Sequence, residues 1–304
     1  MNNIKKNQNS ELSLRKLAAQ SYLYSYAKQV FAIQIILTVP LVICLTLIAI
    51  FYPPFKIVSA TWGILMTLVD LLFLKNYIQS LKQKAATIQE LFDSEVLEFE
   101  WQEIKIESIP TSDEIFEYSK KYKKKEKDYE KLLNWYPQQL ETLSLIGAQV
   151  ICQYLNCWWD LNLRKKYRQI LLIILISFLL IIFIIGLING QTLSEFILFS
   201  VLPVMPAVIL GIRQINENTT FISKASKVKS IAHKLWTTLL NSSIDEATLT
   251  KKIRALQDEI YDRRYNNPLI FDFIYWKLRE GQEREMNEIA DELILEFIAA
   301  NNPK

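Results

Sequence analysis

The stretch NCWWDLNLRKKYRQILLIILISFLLIIFIIGLI, residues 156–188, decides how the rest of the chain is read. Ile170 to Ile188 gives about nineteen residues without a charge, and at ~1.5 Å per residue such a helix crosses the hydrocarbon core of a bilayer. A buried soluble helix would show a polar stripe or stop sooner. Arg164, Lys165, Lys166 and Arg168 then fall at one membrane surface, with their stems along the interface and their charges in water or on lipid phosphates.

Working outward, three more apolar runs emerge. Val30 to Phe51 is interrupted only by Gln34, Thr38, Pro40 and Thr46; Ile57 to Leu74 carries Asp70 near its end; Phe196 to Ile212 holds Pro203 and Pro206 in its middle. The short connections YPPFK and NGQTLSE join the runs pairwise, so an all-α membrane protein is expected, with four transmembrane helices in two hairpins and a cytoplasmic helical domain. The segments are 1–29, an approach helix; 30–74, the first hairpin; 75–169, a helical insert; 170–212, the second hairpin; and 213–304, a C-terminal helical region. Arg15, Lys16, Lys28, Lys75, Lys82, Lys84, Arg164, Lys165, Lys166, Arg168, Arg213, Lys224, Lys227 and Lys229 flank one side and only Lys56 the other. The positive-inside rule therefore puts both termini and the insert in the cytoplasm.

Composition agrees with a membrane protein carrying an aqueous part, because 51% of the 304 residues are hydrophobic, 22% are charged, and the two classes are segregated along the chain. A net charge of +3 argues against DNA or RNA as a partner, so any polyanion site has to be local. Cys44, Cys152 and Cys157 lack the spacing of a disulfide framework and suit a reducing compartment. With His233 the only histidine, no zinc site or Ser/His pair is expected, and the six glycines form no phosphate-binding loop. Mostly polar residues precede the first apolar run and no cleavage pattern follows it, which argues against a secretory signal.

Outside the spans the periodicity predicts helices. PTSDEIFEYSKKYKKKE opens with a capping box of Thr111 and Glu114, and EATLTKKIRALQDEIYDRRY puts Ile253, Leu256 and Ile260 on one face. EREMNEIADELILEFIAANN reads as a terminal amphipathic helix. VLEFEWQEIKI alternates and then shifts phase, which predicts a short extended segment with a bulge.

LAAQSYLYSYAK before the first span, NWYP at residues 134–137, ICQYLNCWWDLNLRKKY before the third span and LQDEIYDRRYNNPLIFDFIYWKLR near the end together resemble the bacterial SMODS-associated four-transmembrane (S-4TM) family, over nearly the whole chain. That family is regarded as pore-forming effectors of CBASS, the cyclic-oligonucleotide anti-phage systems. The resemblance implies a CD-NTase-type nucleotidyltransferase that makes a cyclic oligonucleotide on infection. It implies further that this chain binds that activating ligand and permeabilises the lipid bilayer of the bacterial inner membrane; no catalysis of its own and no other cofactor are expected, and because the spans are poor in polar residues a pore would form by homo-oligomerisation or rearrangement. The alternative is a constitutive membrane scaffold or partner-binding subunit without ligand gating.

The resemblance supplies no ligand-contacting residues, so candidates follow from chemistry. A cyclic oligonucleotide presents flat bases and a ring of phosphates and calls for aromatic faces beside fixed cations. Trp135, Tyr136, Trp158 and Trp159 with Arg164 and Lys165 supply both, as do Tyr261, Arg263 and Arg264 beside Tyr265, and the forked guanidinium favours Arg263 and Arg264. Trp158 and Trp159 equally suit a membrane interface, and Trp135 and Tyr136 before Pro137 a packed turn. Asp160 stands four residues before Arg164, the spacing of a helical ion pair. Within the membrane, Asp70 is a candidate pore or gate residue, with pairing to Lys75 as the plain alternative, and Pro203 and Pro206 would mark a bend.

Overall fold

Nine α-helices of five residues or more carry the described part of the chain in the computed structural model, which describes residues 2–301 apart from 42–43, 46–47, 49–51, 53, 107, 189 and 242–244. They are α1 (Ile4–Gln8), α2 (Glu11–Thr38), α3 (Phe55–Val69), α4 (Lys75–Val96), α5 (Ser112–Glu126), α6 (Leu145–Ile188), α7 (Leu202–Leu240), α8 (Glu246–Asn266) and α9 (Asp272–Asn301). The fold is all-helical, with no strand among the described residues.

Local chemistry accounts for the helix ends. At α5 the Thr111 side chain accepts from the Glu114 N–H at 3.5 Å, and the Thr111 N–H donates to Glu114 Oε2 at 3.1 Å, the reciprocal pair read from the sequence. Lys127, at φ 69, stops that helix. Asp245 caps α8 by accepting from the Thr248 N–H at 2.9 Å, and Pro268 forces its end because the preceding residue is driven out of the helical region. Ser144 Oγ accepts from the Gly147 N–H at 3.3 Å at the start of α6.

The extended segment expected at VLEFEWQEIKI is corrected: residues 97–106 form turns and irregular backbone. Leu97 is fully buried while Ile104 is 96% exposed, so the segment packs by single anchoring residues and offers no continuous apolar face for a sheet.

The chain divides into two compact units. The first comprises Met1–Tyr26, Leu81–Leu163 and Phe221–Lys304; the second comprises Ala27–Ser80 and Arg164–Thr220. Helices α2, α4, α6 and α7 each contribute residues to both. In the first unit Leu17, Phe92, Ile151, Leu155, Trp236 and Ile253 are fully enclosed, and Ile253, Leu256 and Ile260 all face inward as their spacing predicts. Its N-terminal segment is tied down by Gln8, whose side chain bonds the Tyr136 carbonyl at 3.1 Å and the Tyr136 N–H at 2.7 Å.

In the second unit, α6 is the one helix among the described residues that is long and apolar enough to cross a membrane. Its apolar half leaves Ile173, Ile176, Ile184 and Leu187 more than half exposed. The expected span Val30–Phe51 lies partly outside the described residues. The run Ile57–Leu74 becomes α3 followed by a π-helical stretch, Asp70–Leu74, and a second π-helical stretch, Phe196–Val201, precedes α7. Gly186 allows Phe196 to pack closely: a Cβ there would stand 2.5 Å from its ring.

Candidate functional site

The first unit encloses a polar network between α4 and α8. Glu90 and Asp93, three residues apart on α4 and essentially without exposure, point to the same side. Arg254, Gln257, Tyr261 and Arg264, at the matching three- and four-residue spacings of α8, meet them. Arg254 Nη2 donates to Glu90 Oε1 at 2.8 Å and to Asp258 Oδ1 at 2.8 Å. Gln257 Nε2 bridges Glu90 Oε2 at 2.8 Å and Asp93 Oδ2 at 3.2 Å. Arg264 Nη1 donates to Asp93 Oδ2 at 2.5 Å, while Tyr136 Oη donates to Asp93 Oδ1 at 2.7 Å. Thr87 Oγ1 and Tyr261 Oη lie 3.2 Å apart, and Gln153 Nε2 donates to Gln257 Oε1 at 3.1 Å.

Every carboxylate oxygen of Glu90 and Asp93 thus already accepts a bond, so these acids serve as counter-ions and leave no free oxygen for a cation. Three carboxylates, of Glu90, Asp93 and Asp258, meet two guanidinium groups, of Arg254 and Arg264, so the cluster holds one more acid than base. Burial, then the charge of Asp93, pushes the Glu90 carboxyl up to about 7 against the pull of Arg254 and Arg264. Burial works against the Arg264 charge, yet Asp93, Tyr136 and Glu90 outweigh it and hold the guanidinium above its ordinary value. Tyr136 is raised well above the usual phenol range by burial and by Asp93.

The residues selected from the sequence divide sharply by location. Arg263, Arg264, Tyr261 and Tyr136 are interior groups. Arg263 lies 3.9 Å from Asp160 Oδ2 and donates to Cys157 Sγ at 3.6 Å, so in the first unit Asp160 faces this arginine. Burial raises the Cys157 thiol, with Arg263 opposing. Trp135 is half-buried edge-on to Phe92, Trp158 is 7% exposed, and the Trp159 carbonyl accepts from Gln282 Nε2 at 3.2 Å. The aromatic residues thereby brought to the network are Tyr136 and Tyr261; the tryptophans belong to the surrounding packing. In the second unit Arg164 is buried and donates to Asn218 Oδ1 at 3.0 Å, whereas Lys165 is exposed.

Asp70 opens the first π-helical stretch and accepts from Gln34 Nε2 at 2.6 Å, so its polar partner comes from α2. This is an interhelical hydrogen bond between side chains in apolar surroundings, where a polar group without a partner is costly. Pro203 and Pro206 lie in the first turns of α7, and their side chains are outside the described residues.

The chain matches the SMODS-associating 4TM effector domain over residues 2–293. It belongs to that family. Among its relatives is a protein of Bacillus cereus (strain VD146) named "Probable CBASS effector molecule", 23% identical over 293 residues that cover 93% of this chain and 95% of the relative. No solved structure matches.

In this SMODS-associating 4TM effector, the network residues the sequence reading missed are Thr87, Glu90, Asp93, Gln153, Arg254, Gln257 and Asp258. A signal for them exists in the α8 sequence. Arg254, Gln257, Tyr261 and Arg264 form a polar stripe directly beside the apolar stripe of Ile253, Leu256 and Ile260. A solvated face would scatter its charges more widely, whereas a stripe bordering the core marks groups that meet partners on another helix.

Proposed function

We propose that this protein is a CBASS effector that senses a cyclic oligonucleotide through its first unit and permeabilises the bacterial inner membrane through its second. The observation that carries the reading is α6. This helix contributes buried core residues such as Ile151 and Leu155 to the first unit and exposed isoleucines and leucines to the second, within a chain that matches an effector family over 2–293. Apolar side chains left in contact with water would be unfavourable, and a bilayer removes that cost. The four spans form two hairpins, Val30–Phe51 with Ile57–Leu74 and Ile170–Ile188 with Phe196–Ile212, with both termini and the insert in the cytoplasm.

The spans carry few polar groups, so the lesion forms by homo-oligomerisation or rearrangement and involves no catalysis. Asp70 and Gln34, together with the two π-helical stretches, are the elements of the second unit suited to a gate. The ligand drives opening to the extent that it binds the assembled state more tightly than the resting one.

Dye release from liposomes containing the purified protein, challenged with a panel of cyclic di- and trinucleotides, tests this function. Release by one ligand at low concentration is expected. Correctly inserted protein that releases nothing with any ligand would leave the constitutive scaffold as the reading. Arg263→Ala plus Arg264→Ala is an unsuitable site variant, because both side chains are interior and their loss disturbs the core whatever the ligand touches.

A further inference from the structure

The first unit carries a row of aromatic rings at its surface that the buried network does not use. Tyr22 and Tyr26, one turn apart on α2, lie nearly parallel, with centroids 6.1 Å apart and 6° between their planes. Tyr118 of α5 extends the row, 6.1 Å from Tyr22 and inclined by 21°. All three rings are partly exposed. Tyr118 is seated at the edge of a small apolar cluster of Ala19, Leu23, Ala85, Ile88 and Ile115, which fixes its position. Lys121 Nζ stands 5.2 Å from the Tyr118 centroid and 5.9 Å from that of Tyr22, and Lys84 Nζ 5.8 Å from Tyr118. Lys84 is engaged by Glu114 at 2.5 Å, but the exposed Lys121 forms no ion pair among the described residues.

We propose that this row binds the cyclic oligonucleotide, with a nucleobase stacked on the tyrosine faces and a phosphate held by Lys121. The proposal rests on the ligand-sensing function above and locates its site. A base needs an accessible aromatic face, and stacking on one is worth about 1–3 kcal/mol per base whatever its sequence. A phosphate needs a cation that has no competing carboxylate. The row offers both within one ring's reach, in rings already ordered by packing, so little conformational freedom is lost on binding. A lipid headgroup would use the lysine but has no call on three stacked phenols. Tyr22 packs against the main core and Tyr118 against its small cluster, which orders the rings while leaving each partly exposed.

The test is equilibrium dialysis of the full-length protein in detergent micelles against a panel of 3′,5′-linked cyclic di- and trinucleotides. Binding of anionic phosphatidylglycerol vesicles is measured in parallel, and the helix content of each variant is checked by circular dichroism. For the ligand that binds, Tyr118→Leu is expected to weaken affinity about tenfold, Lys121→Ala about fivefold, and Tyr118→Phe, which keeps the ring, by less than about twofold. Added salt is expected to weaken the native protein more than Lys121→Ala. A ligand that binds both substituted proteins as tightly as the native one overturns this site and leaves the sensing function standing. No nucleotide binding to the native protein overturns both. Vesicle binding lost in Lys121→Ala without any nucleotide binding overturns the proposal in favour of a lipid surface.

Discussion

The two units both expose isoleucine, and exposure means opposite things in them. In the first, Ile104 is 96% exposed in an irregular segment beside a core closed by Trp236, Phe92 and Ile253. It is a lone surface residue of the kind every folded protein tolerates. In the second, Ile173, Ile176 and Ile184 are exposed along one continuous apolar helix, far more apolar surface than a soluble protein leaves bare. Polar groups reverse in the same way. The first unit gathers its buried acids and arginines into one network, whereas in the second the described polar contacts include separate pairs such as Gln34 with Asp70 and Arg164 with Asn218. Exposure and burial therefore acquire meaning only from the surrounding medium and the available partners.

The largest effect expected to probe this contrast comes from removing a buried counter-ion. Asp93→Ala strands Arg264, leaves the Tyr136 hydroxyl without its acceptor and leaves Gln257 with Glu90 alone, so it should destabilise the protein by about 3–5 kcal/mol in denaturant unfolding. A cost below about 1 kcal/mol would mean that water reaches the network. Next, Ile176→Lys should disfavour membrane insertion by about 3 kcal/mol and lower the membrane fraction on expression, while Ile104→Lys stays within about 0.5 kcal/mol of the parent in unfolding. Equal behaviour of the two lysines would erase the distinction between the units.

The network also predicts a pH response. The Glu90 carboxyl, raised to about 7 in the folded protein from 4.5, binds its proton more tightly than in the unfolded chain. Its contribution is present below about pH 4.5 and is lost as pH rises through 7, a decline of up to about 3 kcal/mol. The melting temperature should fall between pH 5.5 and 8, and Glu90→Gln should flatten that slope. A slope unchanged by the substitution would assign the effect to another group. The smallest change is at a local signal: Thr111→Ala removes the cap of α5 and should cost about 1 kcal/mol, measured by thermal unfolding.

Much of the helical content was legible because its signals are local. The Thr111 capping box, the apolar face of Ile253, Leu256 and Ile260, and the break before Pro268 all depend on residues within a turn or two of one another. The phase shift at residues 97–106 was misread because alternation over so few residues also arises when single side chains dip into a core. The candidate residues fared according to partners the sequence does not place. Arg264 lies 171 positions from Asp93, and Tyr261 lies 174 from Thr87. Tyr22 and Tyr118 are likewise far apart in sequence and adjoin only in the fold.

The sequence by itself determined the helical class, the apolar segment of α6 and the helix caps, because hydropathy period and capping act over distances shorter than one helix. Only the tertiary structure decided which arginines and tyrosines are interior and which aromatic rings stay partly exposed. Arginine and tyrosine suit a buried ion network and a nucleotide surface equally well, and the choice between those roles is made by the carboxylates and rings that distant helices bring to them.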